Sequence, residues 1–103
     1  MIYSIDEIKN MAKPVFKKNG NIKAAYLFGS YAKGQATDSS DVDIITILDN
    51  SMDKHFFSLY PELETALNKK IDVYCEEEVD HRFLNNIRKD LIKIYERWNT
   101  SIF

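Results

Sequence analysis

Apolar and polar positions change their period several times along this chain. Ile5, Ile8, Met11, Ala12 and Val15 recur at helical spacing. Ser4 to Glu7, S-I-D-E, is a capping box that satisfies free amides at a helix start. Pro14 predicts a kink or break in that helix. Lys17-Lys18-Asn19-Gly20 reads as its end, late cations followed by a left-handed cap. Ile22 to Phe28, IKAAYLF, is a short apolar run with turn residues on both sides, which predicts a buried strand. Val42 to Leu48, VDIITIL, is β-branched and predicts a second strand. Asp49-Asn50-Ser51 can turn the chain and cap a helix. Phe56, Phe57, Tyr60, Leu63, Ala66 and Leu67 continue it, with a bend or restart at Pro61. Ile71 to Cys75, IDVYC, predicts a third strand. Val79, Phe83, Ile87, Leu91, Ile94, Tyr95 and Trp98 predict one long amphipathic final helix. The tail from Asn99 to Phe103 is expected to be loose.

The predicted order is helix, strand, turn, strand, helix, strand, helix. No repeat, linker or low-complexity segment divides it. With 103 residues the expectation is a single domain over 1–103 with one modest core. Apolar residues at 45% and charged residues at 29% are an ordinary globular balance. No apolar run approaches the roughly 20 residues of a membrane helix. The N-terminus lacks the basic start and apolar centre of a signal peptide. Cys75 is the sole cysteine, so no internal disulfide can form. The expected compartment is the cytoplasm, with no membrane partner. The formal net charge is -2, and the lysines are scattered along the sequence, as at Lys17-Lys18, Lys69-Lys70, Lys89 and Lys93. That pattern argues against nucleic acid as the direct substrate.

The candidate chemistry lies between the first two strands, in G29-S-Y-A-K-G-Q-A-T-D-S-S-D-V-D43. Side chains alternate faces on a strand, so Asp41 and Asp43 point the same way, while Val42 and Ile44 point to a core. Two like charges so close are tolerable if exposed, or if a divalent cation sits between them. Oxygen donors alone suit Mg²⁺ or Mn²⁺ rather than Zn²⁺. A lone D-x-D most often just caps and solubilises a strand. Asp72 changes the weighing, because it is again an acid among apolar residues. If its strand neighbours Val42–Leu48, three acids share one sheet face. That is costly for structure alone and natural for two-metal phosphoryl transfer. Gly29 lets backbone approach a ligand closely, and the turn after it offers amide donors to phosphate. The Ser30 hydroxyl adds a donor, Lys33 a cation, and Gly34 a tight exit. No P-loop pattern occurs.

Together these residues resemble the DNA polymerase β-like nucleotidyltransferase superfamily. Its signature is Gly-Ser, ten or so residues, D-x-D, and a third carboxylate on a later strand. Here Gly29-Ser30, ten intervening residues, Asp41-Val42-Asp43 and Asp72 match it. The fuller string L-F-G-S-Y-A-K-G…S-S-D-V-D-I resembles the minimal nucleotidyltransferase (MNT) domains, over roughly Ile22 to Tyr95. The resemblance implies an α/β (α+β) nucleotidyltransferase fold, with a small mixed sheet of three to four strands flanked by helices. It implies that Asp41, Asp43 and Asp72 hold two Mg²⁺ ions, or Mn²⁺, and carry catalysis. It implies that Gly29 and Ser30 grip the β- and γ-phosphates of ATP, with Lys33 and Ser40 also in the nucleotide site.

The resemblance implies that the catalytic core uses up the chain, so the acceptor is expected to be bound by a partner or to be the partner. Stand-alone MNT proteins of this size look like the antitoxin of HEPN–MNT toxin–antitoxin pairs. That likeness implies transfer of AMP from ATP to a tyrosine hydroxyl of a HEPN-type toxin, an RNase, in a hetero-oligomer. Two alternatives stand beside it: a non-catalytic antitoxin acting by steric binding, and an aminoglycoside-type small-molecule nucleotidyltransferase working as a homodimer. Other residues take plainer readings. His55 and His81 are expected at the surface, and Cys75 as a small buried residue. Glu76-Glu77-Glu78 should favour the next helix start. Tyr26, Phe28, Phe56, Tyr74 and Phe83 are expected in the core. Tyr31 is expected exposed near the nucleotide. The candidate partner surface is the exposed faces of the middle and last helices.

Overall fold

The computed structural model describes residues 2–49 and 59–97. Along them run α1 (Ile5–Lys18), β1 (Ile22–Phe28), the one-turn helix α2 (Gly29–Ala32), β2 (Val42–Leu48), α3 (Leu59–Leu67), β3 (Ile71–Cys75), α4 (His81–Ile87) and β4 (Ile92–Glu96). Expectations for Asn50, Ser51, His55, Phe56, Phe57, Trp98 and the tail fall outside the described residues. The strands form one mixed sheet in the order β3-β2-β1-β4. β1 is antiparallel to β2 and β4, and β2 is parallel to β3.

Alternation on the inner strands sorts the two faces. Val42, Ile44, Thr46 and Leu48 are buried on one face of β2, and Ile71, Val73 and Cys75 on the same face of β3. Two helical stripes cover them. Ile8, Ala12 and Phe16 repeat every four residues on α1, and Leu59, Leu63 and Leu67 do so on α3. The Thr46 hydroxyl donates to the Tyr74 carbonyl at 3.0 Å, which ties β2 to β3 inside this core. Among the described residues, no helix is long and apolar enough to cross a membrane.

The capping box forms as expected. The Glu7 amide donates to Ser4 Oγ at 3.1 Å, and the Ser4 amide to Glu7 Oε1 at 2.8 Å. Ser4→Ala should cost about 1 kcal/mol, read as a lower urea midpoint with an unchanged slope. Of the kink or break that Pro14 predicts, the break does not occur. It sits on the exposed side of a helix that runs on to Lys18. Asn10, whose carbonyl loses its donor, is exposed as well, so water can serve it, and Ala12 and Phe16 hold the turn down on either side.

The C-terminal quarter differs most from the sequence reading. The single long helix is absent. Glu76–Glu78 form a 3-10 turn, and α4 starts behind its own cap, with Asp80 accepting from the Arg82 amide at 2.6 Å. A second 3-10 turn, Arg88–Asp90, then leads into β4. Ile92-Lys93-Ile94 alternates with period two, and pairing with β1 beats the weaker helical period.

Candidate active site

The parallel pairing of β2 and β3 sets Asp43 opposite Asp72. Both point to the sheet face that α1 and α3 leave open. The antiparallel pairing of β1 and β2 sets Phe28 opposite Asp43. The chain therefore leaves β1 and turns into α2 directly beside the two acids. Gly29 makes that turn at φ 71°, in the left-handed region. A Cβ at Gly29 would overlap the Asp43 carboxylate. The sequence suggested a glycine that admits a ligand. In the structure it also leaves room for a neighbouring acid.

The acids crowd one another. The Asp43 carboxyl is pushed up to about 6, chiefly by burial, then by the charges of Asp72 and Asp41 and a hydrogen bond with Asp72. The Tyr74 phenol is also pushed up, by burial first and then by Asp72 and Asp43. Asp41 stands just ahead of β2, with Oδ2 3.9 Å from Lys70 Nζ. Among the described residues, no three His, Cys, Asp or Glu side chains converge as a ready-made metal cage. The donor set still fits a hard divalent cation. It is all oxygen and like-charged, and Asp43 within it is disfavoured as an anion by burial and by its acidic neighbours.

The remaining candidates sit at varying distance from this pair. Ser30 is half-buried in α2, next to Gly29. Ser40 Oγ accepts from the Thr37 amide at 2.8 Å and so closes the tight loop before Asp41. Lys33 is exposed at the end of α2, and none of the described ion pairs joins it to an acid. Tyr31 is not exposed beside a nucleotide. It is 4% exposed and packs into the core, because α2 turns that side chain inward.

Phe28, Tyr74 and Phe83 were expected to be plain core. They form an aromatic cluster, with ring centroids 5.4 to 5.6 Å apart, on the same open face as the acids. Only Phe28 is fully buried, and Tyr74 and Phe83 form a half-exposed border. The signal was present: Tyr74 is two residues from Asp72 on a strand, and Phe28 adjoins Gly29. His81 is exposed at the start of α4, as expected. Cys75 is buried, and burial pushes its thiol up, so it packs rather than reacts.

Comparison with known proteins places this arrangement among relatives. The family model for polymerase beta nucleotidyltransferases matches residues 10–100. A Methanocaldococcus jannaschii protein, provisionally named a protein adenylyltransferase, is 32% identical over 94 residues, which is 87% of this chain and 94% of that protein. A second from the same organism, with the same provisional name, is 36% identical over 76 residues, 73% of this chain and 88% of its own length. Among solved structures, a chain from a toxin–antitoxin complex with AMP-PNP superposes with TM-score 0.75 at 21% identity, covering 87% of this chain and 74% of that one. A chain from the complex of tri-AMPylated Shewanella oneidensis HEPN toxin with MNT antitoxin superposes with TM-score 0.70 at 18% identity, covering 90% and 73%. At such identities these structural likenesses concern the fold.

Proposed function

This chain belongs to the polymerase beta nucleotidyltransferase family, and from that membership we propose that it is a protein adenylyltransferase acting as the antitoxin of a toxin–antitoxin pair. Its substrate is ATP, and its acceptor is a tyrosine hydroxyl of a HEPN-type toxin. The observation that carries the reading is the convergence of Gly29, Asp43 and Asp72 at one end of the open sheet face. The names of the relatives and the AMP-PNP and AMPylated complexes among the structural neighbours point the same way.

Asp41, Asp43 and Asp72 would hold Mg²⁺. When bound, the metal neutralises triphosphate charge and favours both the attacking and the leaving oxygen. Gly29 and Ser30 would bind the β- and γ-phosphates beside the acids, with Ser40 and Lys33 at the border of the nucleotide site. The acceptor oxygen attacks the α-phosphorus in line. The bond to the bridging oxygen breaks, and pyrophosphate leaves. The hydroxyl proton passes to the Asp72 carboxylate. Positioning and electrostatics carry most of such a reaction. The cytoplasm is the compartment where ATP and such a partner are both at hand.

The test mixes this protein with the product of its neighbouring gene, ATP and Mg²⁺, and records the intact mass of each. The neighbour should gain whole AMP units, and the Asp41→Ala/Asp43→Ala variant should add none. A stable complex with no mass gain in either sample would replace this reading with steric inhibition.

A further inference from the structure

At the β4 edge of the sheet, the opposite edge from β3, α1 and β4 enclose a groove of about 660 Å³. Lys9, Lys13 and Lys17 line one wall, and the four consecutive residues Lys93–Glu96 line the other. Consecutive residues of a strand line a groove together only when the strand turns its edge toward it. β4 ends the sheet, and among the described residues no strand pairs with its outer side. Backbone donors and acceptors are therefore offered to the groove. In sequence the lysines are scattered. The helix gathers three of them at every fourth position, all exposed. The described ion pairs join Lys18 to Glu62, Lys70 to Asp41, Lys93 to Glu96 and Arg97 to Asp49, and leave Lys9, Lys13 and Lys17 out.

The spacing selects an occupant. Residues four apart on a helix rise about 6 Å. Alternate side chains of a strand recur every 6.6 Å or so, at roughly 3.3 Å per residue. A strand with an acid at every second position would set successive carboxylates against successive lysines. We propose that this groove is a docking site for an acidic, extended segment of a partner protein, which adds to β4 as a fifth strand with its carboxylates against Lys9, Lys13 and Lys17. A second copy of this chain fits poorly. Pairing β4 with its own copy would bring two lysine rows together on one face. RNA fits less well too, because a sheet edge offers phosphates little, and Asp6 and Glu96 stand in the walls. The inference goes beyond the proposed function and stands whether or not the acids transfer AMP.

The test titrates the isotopically labelled full chain with a short peptide alternating glutamate and valine, and follows its backbone amides by NMR. Parallel titrations use a lysine–valine peptide and oligouridylate, and sedimentation reports self-association. The acidic peptide should shift the amides of Lys93 to Glu96 and the lysine-bearing face of α1. Lys9→Glu/Lys13→Glu/Lys17→Glu should weaken binding at least about tenfold, and the triple Lys→Gln variant should weaken it less, with all other amides unmoved. N-methylation along one edge of the peptide should remove the β4 shifts. The proposal is overturned if millimolar acidic peptide leaves β4 unmoved, or if both lysine variants bind as wild type does. It is also overturned if oligouridylate occupies the groove more tightly than the peptide, or if the chain alone self-associates through β4.

Discussion

Asp43→Asn should fold more stably than the parent and transfer AMP at least about a thousandfold more slowly, a loss of roughly 4 kcal/mol in the transition state. The two effects have one cause. Asp43 is half-buried, faces Asp72 across the strand pair, and feels Asp41 as well. In the metal-free protein its charge is a burden. Folding raises its pKa from 3.8 to about 6, so between those values the folded chain binds more protons than the unfolded one. Stability therefore falls as pH rises through that window, and is level at a reduced value above it. Taken whole, the displacement is worth roughly 3 kcal/mol. A half-exposed group keeps part of its solvent screening, so about 1 kcal/mol is the fair expectation, or some 4 to 8 °C in Tm. Asparagine keeps the shape and removes the charge. Melting curves of both proteins without metal from pH 4 to pH 8 should show the gain near neutrality, and its disappearance on the acid side. With Mg²⁺ and nucleotide the order should change, because only the parent gains ligand stabilisation. An asparagine variant that melts lower than the parent at pH 7, with the deficit closing toward pH 4, would show that the Asp43 charge favours the folded state instead.

The placement of the candidate residues was readable because strands were readable. The three runs IKAAYLF, VDIITIL and IDVYC became β1, β2 and β3 at the expected residues. Period two then fixed the faces, so that Asp43 and Asp72 had to share one wherever β2 and β3 were neighbours. Their pairing was not readable, since strand order is a tertiary choice that no local pattern encodes. β4 was missed for a related reason. Phe83, Ile87, Leu91, Ile94 and Tyr95 do fit a helical period, and Ile92-Lys93-Ile94 is a short alternation by comparison. The open edge of β1 decides between them, by offering hydrogen bonds that a continued helix would leave unmade. Tyr31 failed in the same way. Its place after Gly-Ser says nothing of which side of a one-turn helix faces the core. The lysine row on α1 needed only helical geometry, yet a count of scattered lysines hides it until β4 supplies the opposite wall.

Gly29→Ala should be the most damaging of the three glycine-to-alanine changes, and the comparison with Gly34→Ala isolates the reason. Both glycines have positive φ, 71° and 73°. Alanine at either should cost about 1 to 2 kcal/mol from backbone conformation alone. Nothing lies within 4 Å of a Cβ built on Gly34, whereas a Cβ on Gly29 overlaps the Asp43 carboxylate. That clash must be relieved by moving either the β1–α2 turn or the acid itself, for a total of roughly 3 kcal/mol or more. Either movement displaces Asp43 relative to Asp72. Gly29→Ala should therefore lose nearly all transfer activity, while Gly34→Ala keeps most of it. A double-mutant cycle separates strain from chemistry. In the Asp43→Ala background the overlap is gone, so adding Gly29→Ala should cost only the conformational share, close to the cost of Gly34→Ala. Urea unfolding of the four proteins measures the coupling. If Gly29→Ala costs as much without the Asp43 carboxylate as with it, the glycine is there for the turn alone, and its contact with the acid is incidental. A coupling of about 1 kcal/mol or more would show that one residue both turns the chain and leaves room for the acid that the proposed chemistry requires.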